Sequence, residues 1–246
     1  MPPRHSEPGR PRRWSAALAF VIAGVVVIGV ASLDVTTKQG VNFEVSTHRL
    51  PLYLKALQFV ERSAEYRRVA QEVVADATSD SERALKVFEW TRRRIRPTPP
   101  EWPVVDDHIL NIIIRGHGLG DQHADVFATL ATYGGVPAFW TKLPESARAG
   151  LIVSFARIDG RWRVFDVFNG VVFRTANGDL ATMADLKGRE DLVPAAVRSL
   201  DIAGLRYADI VTTSPMPEVP KPLRAELQMP LARLRHEVGR VLRIGQ

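Results

Sequence analysis

The chain contains no cysteine among its 246 residues. It therefore cannot form a disulfide, a thiolate nucleophile or a cysteine-ligated metal site. The absence of disulfides does not identify a compartment. The sequence also has no internal repeat and no basic stripe interleaved with aromatic residues, which argues against nucleic acid as a partner.

Positive charge is concentrated at the N-terminus. The net charge is +6, of which residues 1–33 contribute +3 through four arginines and one glutamate. The remaining 213 residues hold 29 basic and 26 acidic side chains and are nearly balanced. An apolar share of 46% and a charged share of 24% are ordinary for a globular chain with room for one or two domains.

The N-terminal segment has the pattern of a membrane anchor. Residues 1–13 are rich in proline and arginine and are predicted to be a disordered cytoplasmic tail. Residues 14–33 carry no charge over a length that can cross the hydrocarbon layer as a helix. The preceding arginines predict a cytoplasmic N-terminus and an extracytoplasmic main domain. The alternative is a signal peptide cleaved near Ser32.

The rest of the chain is predicted to be a connector over 34–61, a domain over 62–212, and a linker with an amphipathic helix over 213–246. Within the connector and the domain, helices are predicted at 53–60, 64–77, from Ser79 to the arginine run that ends at Arg96, and at 109–115. The arginine run is interpreted as a complement to the helix dipole.

The stretch from Arg115 to Ala138 is the most informative part of the sequence. Glycines at 116, 118 and 120 lead to Asp121, which is predicted to be the N-cap of a helix with a small apolar face. Two glycines end this helix, and residues 136–143 follow as a buried strand. Residues 151–158, 162–168 and 171–174 then predict an antiparallel meander with turns at Asp159-Gly160 and Asn169-Gly170.

Three motifs in this region resemble the transglutaminase-like superfamily, whose fold is papain-like. They are Gly134-Gly135-Val136-Pro137-Ala138 at the helix end, Asp159-Gly160-Arg161-Trp162 at the turn, and Asp166 on the strand that follows. The resemblance covers roughly residues 80–188. It implies an α+β fold with helices packed on an antiparallel sheet, here behind an N-terminal transmembrane helix.

The catalytic positions of the family are degenerate in this chain. The resemblance places Gly120 at the nucleophilic cysteine, Leu151 at the histidine and Asp166 at the acid. A thiolate mechanism needs a thiolate, so the chain is predicted to be a pseudoenzyme. Asp166, without its histidine, is expected to pair with a backbone N–H, Arg115 or an indole N–H.

A different chemistry in the same cleft is the alternative. His117, Asp121, His123 and Asp125 include metal-binding residue types, but their spacing does not support a site, so no metal and no cofactor is predicted. A hydrolase would use Asp121, His123 and Asp166, with His123 and Asp166 as an acid–base pair. Ser154 is expected to face away from Leu151 and cannot complete a triad there.

Other polar residues of the family's cleft region are candidate ligand contacts. They are Asp107, His108, His117 and Trp140. Helix capping is the simpler interpretation of Asp106 and Asp107, which precede the predicted helix at 109–115.

The C-terminal tail is predicted to be an amphipathic helix in which Pro230 starts the second part. Its apolar stripe consists of Leu231, Leu234, Val238, Val241 and Leu242, and arginines line its flanks. Three interpretations remain open: packing on the domain, contact with a membrane surface, or pairing with a partner.

The sequence thus predicts a single-pass protein of the bacterial inner membrane. By analogy with members of the resembled family, its domain is expected to bind or scaffold in the cell envelope, including surface-polysaccharide assembly. The expected partners are an envelope protein or a polysaccharide or peptide ligand.

Overall fold

The computed structural model describes residues 12–41, 44–103, 108–145 and 149–244. Its helices are α1 Arg12–Ala31, α2 Leu52–Val73, α3 Asp80–Arg94, α4 Ile109–Arg115, α5 Gly120–Tyr133, α6 Met183–Leu186, α7 Ala195–Arg198, α8 Tyr207–Thr213 and α9 Pro230–Ile244. Its strands are β1 Asp34–Val41, β2 Glu44–Pro51, β3 Arg96–Pro97, β4 His117–Gly118, β5 Ala138–Leu143, β6 Leu151–Ile158, β7 Arg161–Asp166, β8 Val171–Val172, β9 Asp201–Ile202 and β10 Leu205–Arg206. The chain is therefore mixed α and β, as the sequence predicts.

The chain divides into two compact units. One comprises Met1–Lys38 and Thr47–Gln58, and the other Gln39–Ser46 and Phe59–Gln246. In the smaller unit the Leu52 N–H donates to the Leu33 carbonyl over 2.9 Å, and Lys55 Nζ donates to the Thr36 carbonyl over 2.7 Å. The two helices predicted at 53–60 and 64–77 are one continuous helix, α2, which ends at Val73.

The predicted membrane anchor over residues 14–33 falls mostly within α1. The apolar side chains of α1 are exposed, among them Phe20 at 80%. Within the described ranges, however, no helix has the length and apolarity required to span a membrane.

The larger unit is built on a four-stranded antiparallel sheet in the order β5-β6-β7-β8. The predicted meander is present, and its first turn places Asp159 and Gly160 at positive φ. Helix α5 packs on β5 and β6, with α3 and α4 beside it. Every residue of α5 from 122 to 132 is buried, so this helix forms the centre of the unit.

Strand alternation separates two hydrophobic cores on opposite faces of this sheet. The face toward α5, here called the helix face, carries Ala156, Ile158 and Phe165. The opposite face, here called the far face, carries Val153, Val164 and the α8 residue Tyr207, among others. The side chain of each strand residue is therefore assigned to one face by its position along the strand.

Candidate functional site

The start of α5 differs from the predicted cap. The N-cap is Leu119 (φ −84°, ψ 176°), and the helix begins at Gly120 rather than after Asp121. The Leu119 N–H donates to Gln122 Oε1 over 3.0 Å, and this oxygen also accepts from Arg115 Nη2 over 2.7 Å. Asp121 lies in the first turn, where its negative charge complements the helix dipole. The Gln122 side chain therefore caps a helix whose N-cap residue has no polar side chain.

Gly120, which the resemblance places at the nucleophile, has apolar atoms as the nearest neighbours of an added Cβ. A Cβ added there would lie 3.7 Å from Ile152 Cγ1 and 3.7 Å from Phe168 Cγ. Its backbone is not in the left-handed region, so a larger side chain is compatible with the fold at this position. A side chain at 120 would point toward Ile152 and Phe168.

The residue opposite Gly120 is Ile152 and not Leu151. Leu151 is buried in the far-face core with Val153, because odd-numbered residues of β6 point away from α5. Leu151, which the resemblance places at the histidine, therefore lies on the face of the sheet away from Gly120. The histidine position is assigned by counting residues back from the Asp159-Gly160 turn. A shift of one residue in that count moves the assigned side chain to the other face of the strand.

Ser154 shares the helix face with Ile152, and its hydroxyl is buried without a hydrogen-bond partner among the described residues. It lies opposite Phe165 on β7 rather than beside a histidine. The prediction that Ser154 and Leu151 point to opposite faces agrees with this register.

Asp166 is completely buried and belongs to the far face. Its Oδ1 accepts from the Asn169 N–H over 2.9 Å, and its Oδ2 accepts from Asn169 Nδ2 over 2.7 Å and from the Tyr207 hydroxyl over 2.8 Å. Burial raises the pKa of Asp166, and these hydrogen bonds oppose that increase. Burial, with the negative charge of Asp166 nearby, also raises the pKa of Tyr207. Of the partners expected for Asp166, a backbone N–H is present.

His123 is buried and held by the main chain. Its Nδ1 lies 2.8 Å from the Leu119 carbonyl oxygen and its Nε2 3.0 Å from the Ile95 carbonyl oxygen. Burial lowers the pKa of His123, the two carbonyls oppose this effect, and the positive charge of Arg92 adds to it. With both ring nitrogens against carbonyls, the imidazole has no lone pair directed at a substrate.

The structure consequently does not assemble the hydrolase alternative. His123 and Asp166 have separate partners, and the Oδ1 of Asp121 accepts from the Gln122 N–H over 2.9 Å. Nor does any cluster of three His, Cys, Asp or Glu side chains suited to a metal ion occur within the described ranges.

Trp140 lies away from the N-terminus of α5, in a cluster that fastens the C-terminal segment. Its indole N–H donates to Asp125 Oδ1 over 2.9 Å, and Arg224 Nη2 pairs with Asp125 Oδ2 over 2.8 Å. The Arg224 guanidinium lies 5.9 Å from the centre of the Trp140 ring. The geometry thus gives Trp140 and Asp125 a structural role.

A pocket lies next to the N-terminus of α5, where β3 pairs with β4. Its volume is about 710 Å³, and we call it the arginine pocket. It is lined by Arg96, Pro97, Pro99, Trp102, Arg115, Gly116 and His117.

The aromatic groups of the arginine pocket are held in place. Trp102 and His117 meet edge to face with ring centres 5.0 Å apart, and Thr98 Oγ1 lies 3.1 Å from His117 Nδ1. Desolvation, followed by the charge of Arg115, lowers the pKa of His117, so it is neutral at neutral pH. The indole face and the neutral imidazole offer planar surfaces beside the arginines.

The two arginines of the pocket differ in how firmly their side chains are held. Arg115 Nε donates to the His117 carbonyl over 2.9 Å, which fixes its orientation. The Arg96 side chain is exposed and forms no ion pair within the described part of the chain. An anion is the ligand that these lining residues fit best.

The predicted ligand residues divide accordingly. His117 lines the arginine pocket, and His108 is the half-buried N-cap residue of α4. Asp106 and Asp107 lie outside the described residues. Sequence reasoning missed Ile152 and Phe168 at Gly120, and it missed Arg96 and Trp102 in the pocket. The signal available for Arg96 was that it ends the arginine run just beyond α3, where a helix dipole no longer explains it.

No family model matches the chain, and no curated protein matches it. Three solved structures are similar to it: a proposed cysteine protease from Cytophaga hutchinsonii (16% identity, TM-score 0.38), a proposed protease from Parabacteroides distasonis (11%, 0.35) and a TGase (12%, 0.36). They match over 48%, 55% and 60% of this chain, respectively. The chain spans less than half of each of them, at 40%, 36% and 46%. At these TM-scores the likeness carries no argument about function.

Proposed function

We propose that this chain is a catalytically silent member of the transglutaminase-like superfamily that acts as a binding module. The observation that carries the proposal is the environment of Gly120. At the start of the central helix, where the resembled family has its thiol, this chain has a glycine facing Ile152 and Phe168. Neither neighbour can donate, accept or transfer a proton.

The arginine pocket is the proposed binding site. Arg96 and Arg115 supply positive charge, and Trp102 supplies an exposed aromatic face. A carboxylate-bearing saccharide fits both features, since a guanidinium binds a carboxylate and an indole packs on a sugar ring. Such a ligand accords with a role in the bacterial envelope, including surface-polysaccharide assembly. A scaffolding role with an envelope protein partner belongs to the same proposal.

The membrane-anchoring part of the proposal rests on the uncharged run of residues 14–33 and on the exposed apolar side chains of α1. With the arginines of residues 1–13 on the cytoplasmic side, the main domain is extracytoplasmic. Alkaline carbonate extraction of cells expressing the full chain tests this point. The chain is expected in the membrane pellet, and its release into the supernatant would contradict anchoring.

The binding proposal is tested by calorimetric titration of the full chain with a galacturonic acid oligomer, with a galactose oligomer of equal length as the neutral comparison. We expect the acidic oligomer to bind and the neutral one not to bind. Arg96→Ala is expected to weaken binding at least about tenfold, because a charge-assisted hydrogen bond is lost.

The matched control is Arg93→Ala, which removes an exposed arginine that does not line the pocket. It should leave the affinity unchanged. Equal weakening of binding by the two variants would show that only the net charge of the protein matters. Failure of both oligomers to bind the protein would overturn the choice of ligand.

The alternative that the sequence left open is a hydrolase that uses His123, Asp121 and Asp166, which the structure does not bring together. Incubation of the full chain with peptide and glutamine-amide substrates, with and without divalent metal, distinguishes the two. We expect no product. Turnover that His123→Gln abolishes would establish the hydrolase and overturn the silent-cleft proposal.

A further inference from the structure

Helix α9 presents two different stripes. Ala232, His236 and Gly239 are half-buried and follow each other at helical spacing, so they form the side that meets the rest of the unit. The apolar stripe lies on another side and is exposed: Leu231 by 80%, Leu234 by 61%, Val238 by 48% and Leu242 by 68%. The helix therefore packs through small and polar residues and leaves its apolar stripe uncovered.

The charges around this apolar stripe are positive. Glu237 pairs with Arg233 and Arg240, each over 2.9 Å, and so its charge is neutralised within the helix. Arg235 lies beside the stripe and forms no ion pair among the described residues. One acidic side chain against three arginines leaves this part of α9 cationic.

A groove between α2 and α9 extends the positive surface. It has a volume of about 590 Å³, and Leu231 and Arg235 line it on the α9 side. Arg67 and Arg68 line it on the α2 side, and no acidic side chain lines it. Arg68 pairs with Glu65 and Glu72 outside the groove, so Arg67 and Arg235 supply its positive charge. Any occupant of this face must therefore combine apolar surface with negative charge.

A second copy of the chain offers apolar surface but not negative charge. Pairing two α9 helices would bury the apolar stripes but would bring their arginines together, and like charges in contact are destabilising. A helix of 15 residues supplies only about two heptads, which is marginal for a coiled coil. An anionic lipid surface offers both the apolar layer and the negative charge.

We propose that α9 is an interfacial helix that lies on an anionic phospholipid bilayer. Its apolar stripe enters the boundary between headgroups and acyl chains, and its arginines contact the lipid phosphates. This contact is additional to the proposed anchor at residues 14–33 and does not require it.

The absence of cysteine permits a direct test on the full chain. Leu234→Cys and Arg240→Cys each provide a single thiol, on the apolar stripe and on the opposite side of α9, for an environment-sensitive fluorophore. The labelled proteins are mixed with phosphatidylglycerol-containing vesicles or with phosphatidylcholine vesicles. A fraction of the lipids carries a nitroxide quencher in the acyl chain.

The expected result is a blue shift and nitroxide quenching at position 234, with little change at position 240, in the anionic vesicles alone. The effect should diminish at high salt, because the attraction between arginines and lipid is screened. Arg235→Glu should reduce it, whereas Arg157→Glu, at an exposed site on β6, should not.

Equal responses at positions 234 and 240, or equal quenching in both kinds of vesicle, would overturn the proposal. A blue shift at position 234 without nitroxide quenching would also overturn it and would identify a second copy of the chain as the occupant. Normal circular dichroism of each variant ensures that the comparison concerns folded protein.

Discussion

At the scale of single residues, Asp166, which the resemblance places at the acid position, is buried on the far face of the sheet. Asp166 retains three hydrogen bonds, and one of its donors, Tyr207, comes from a helix 41 positions later in the chain. A buried carboxylate without such donors would be strongly destabilising. The three hydrogen bonds therefore explain how the fold accommodates this buried carboxylate.

Removal of one donor from Asp166 tests this role. Tyr207→Phe should lower the free energy of unfolding by about 1.5–3 kcal/mol, the usual cost of losing a hydrogen bond to a charged group. The measurement is urea denaturation at neutral pH.

Tyr66→Phe is the matched control, because Tyr66 is equally buried and its hydroxyl makes no hydrogen bond to a charged group among the described residues. Its removal should cost at most about 1 kcal/mol. Similar losses in the two variants would show that burial of the ring, and not the bond to Asp166, determines the cost.

At the scale of elements, the sequence predicted the helix that begins after Ser79 well. Ser79 is its N-cap and accepts from the Glu82 N–H over 3.2 Å, and three arginines occupy its last turn. Such caps depend on adjacent residues and can be predicted locally. The cap of α5 could not be predicted in this way, because it depends on Gln122 and on Arg115 from the preceding helix.

The segment before α9 illustrates a contact that only tertiary structure provides. Arg224 reaches Asp125 on α5, about 100 positions earlier in the chain, and the buried carboxylate holds it beside Trp140. From the sequence, Asp125 was a candidate metal ligand and Trp140 a candidate ligand contact. The sequence around neither residue shows that a distant arginine contacts it.

Arg224→Ala should therefore lower the free energy of unfolding by about 1–2 kcal/mol, because Asp125 loses its cationic partner while remaining buried. It should also accelerate proteolytic cleavage near residues 221–228. Arg233→Ala, which removes an exposed pair within α9, should cost at most about 0.5 kcal/mol. Equal effects in urea denaturation would argue against a special role for the Arg224 pair.

At the scale of the whole molecule, most of the larger unit could be predicted from the sequence. The meander, α3, α4 and the central buried helix follow from periodicity and turn residues. The sequence could not show which face of the sheet each β6 side chain occupies, because this depends on the register between β6 and β7. The resemblance assigns the histidine position to Leu151, whereas the β6 side chain beside Gly120 is that of Ile152.

The same register underlies the proposal of a catalytically silent cleft. Gly120, at the start of α5, and Ile152, on β6, both lie on the helix face. Asp166, on β7, lies on the far face. A thiol and an imidazole restored at positions 120 and 152 would meet, but Asp166 would not support them.

The most direct test of this account is the pH dependence of alkylation of a thiol introduced by Gly120→Cys. No native cysteine competes for the reagent, and the helix N-terminus already favours a thiolate. Adding Ile152→His should shift the midpoint of the rate profile down by about one pH unit or more, because an imidazolium in contact stabilises the thiolate. Adding Leu151→His instead should leave the midpoint where Gly120→Cys alone places it. A downward shift with Leu151→His, or no shift with Ile152→His, would contradict the proposed register and the silent-cleft account built on it.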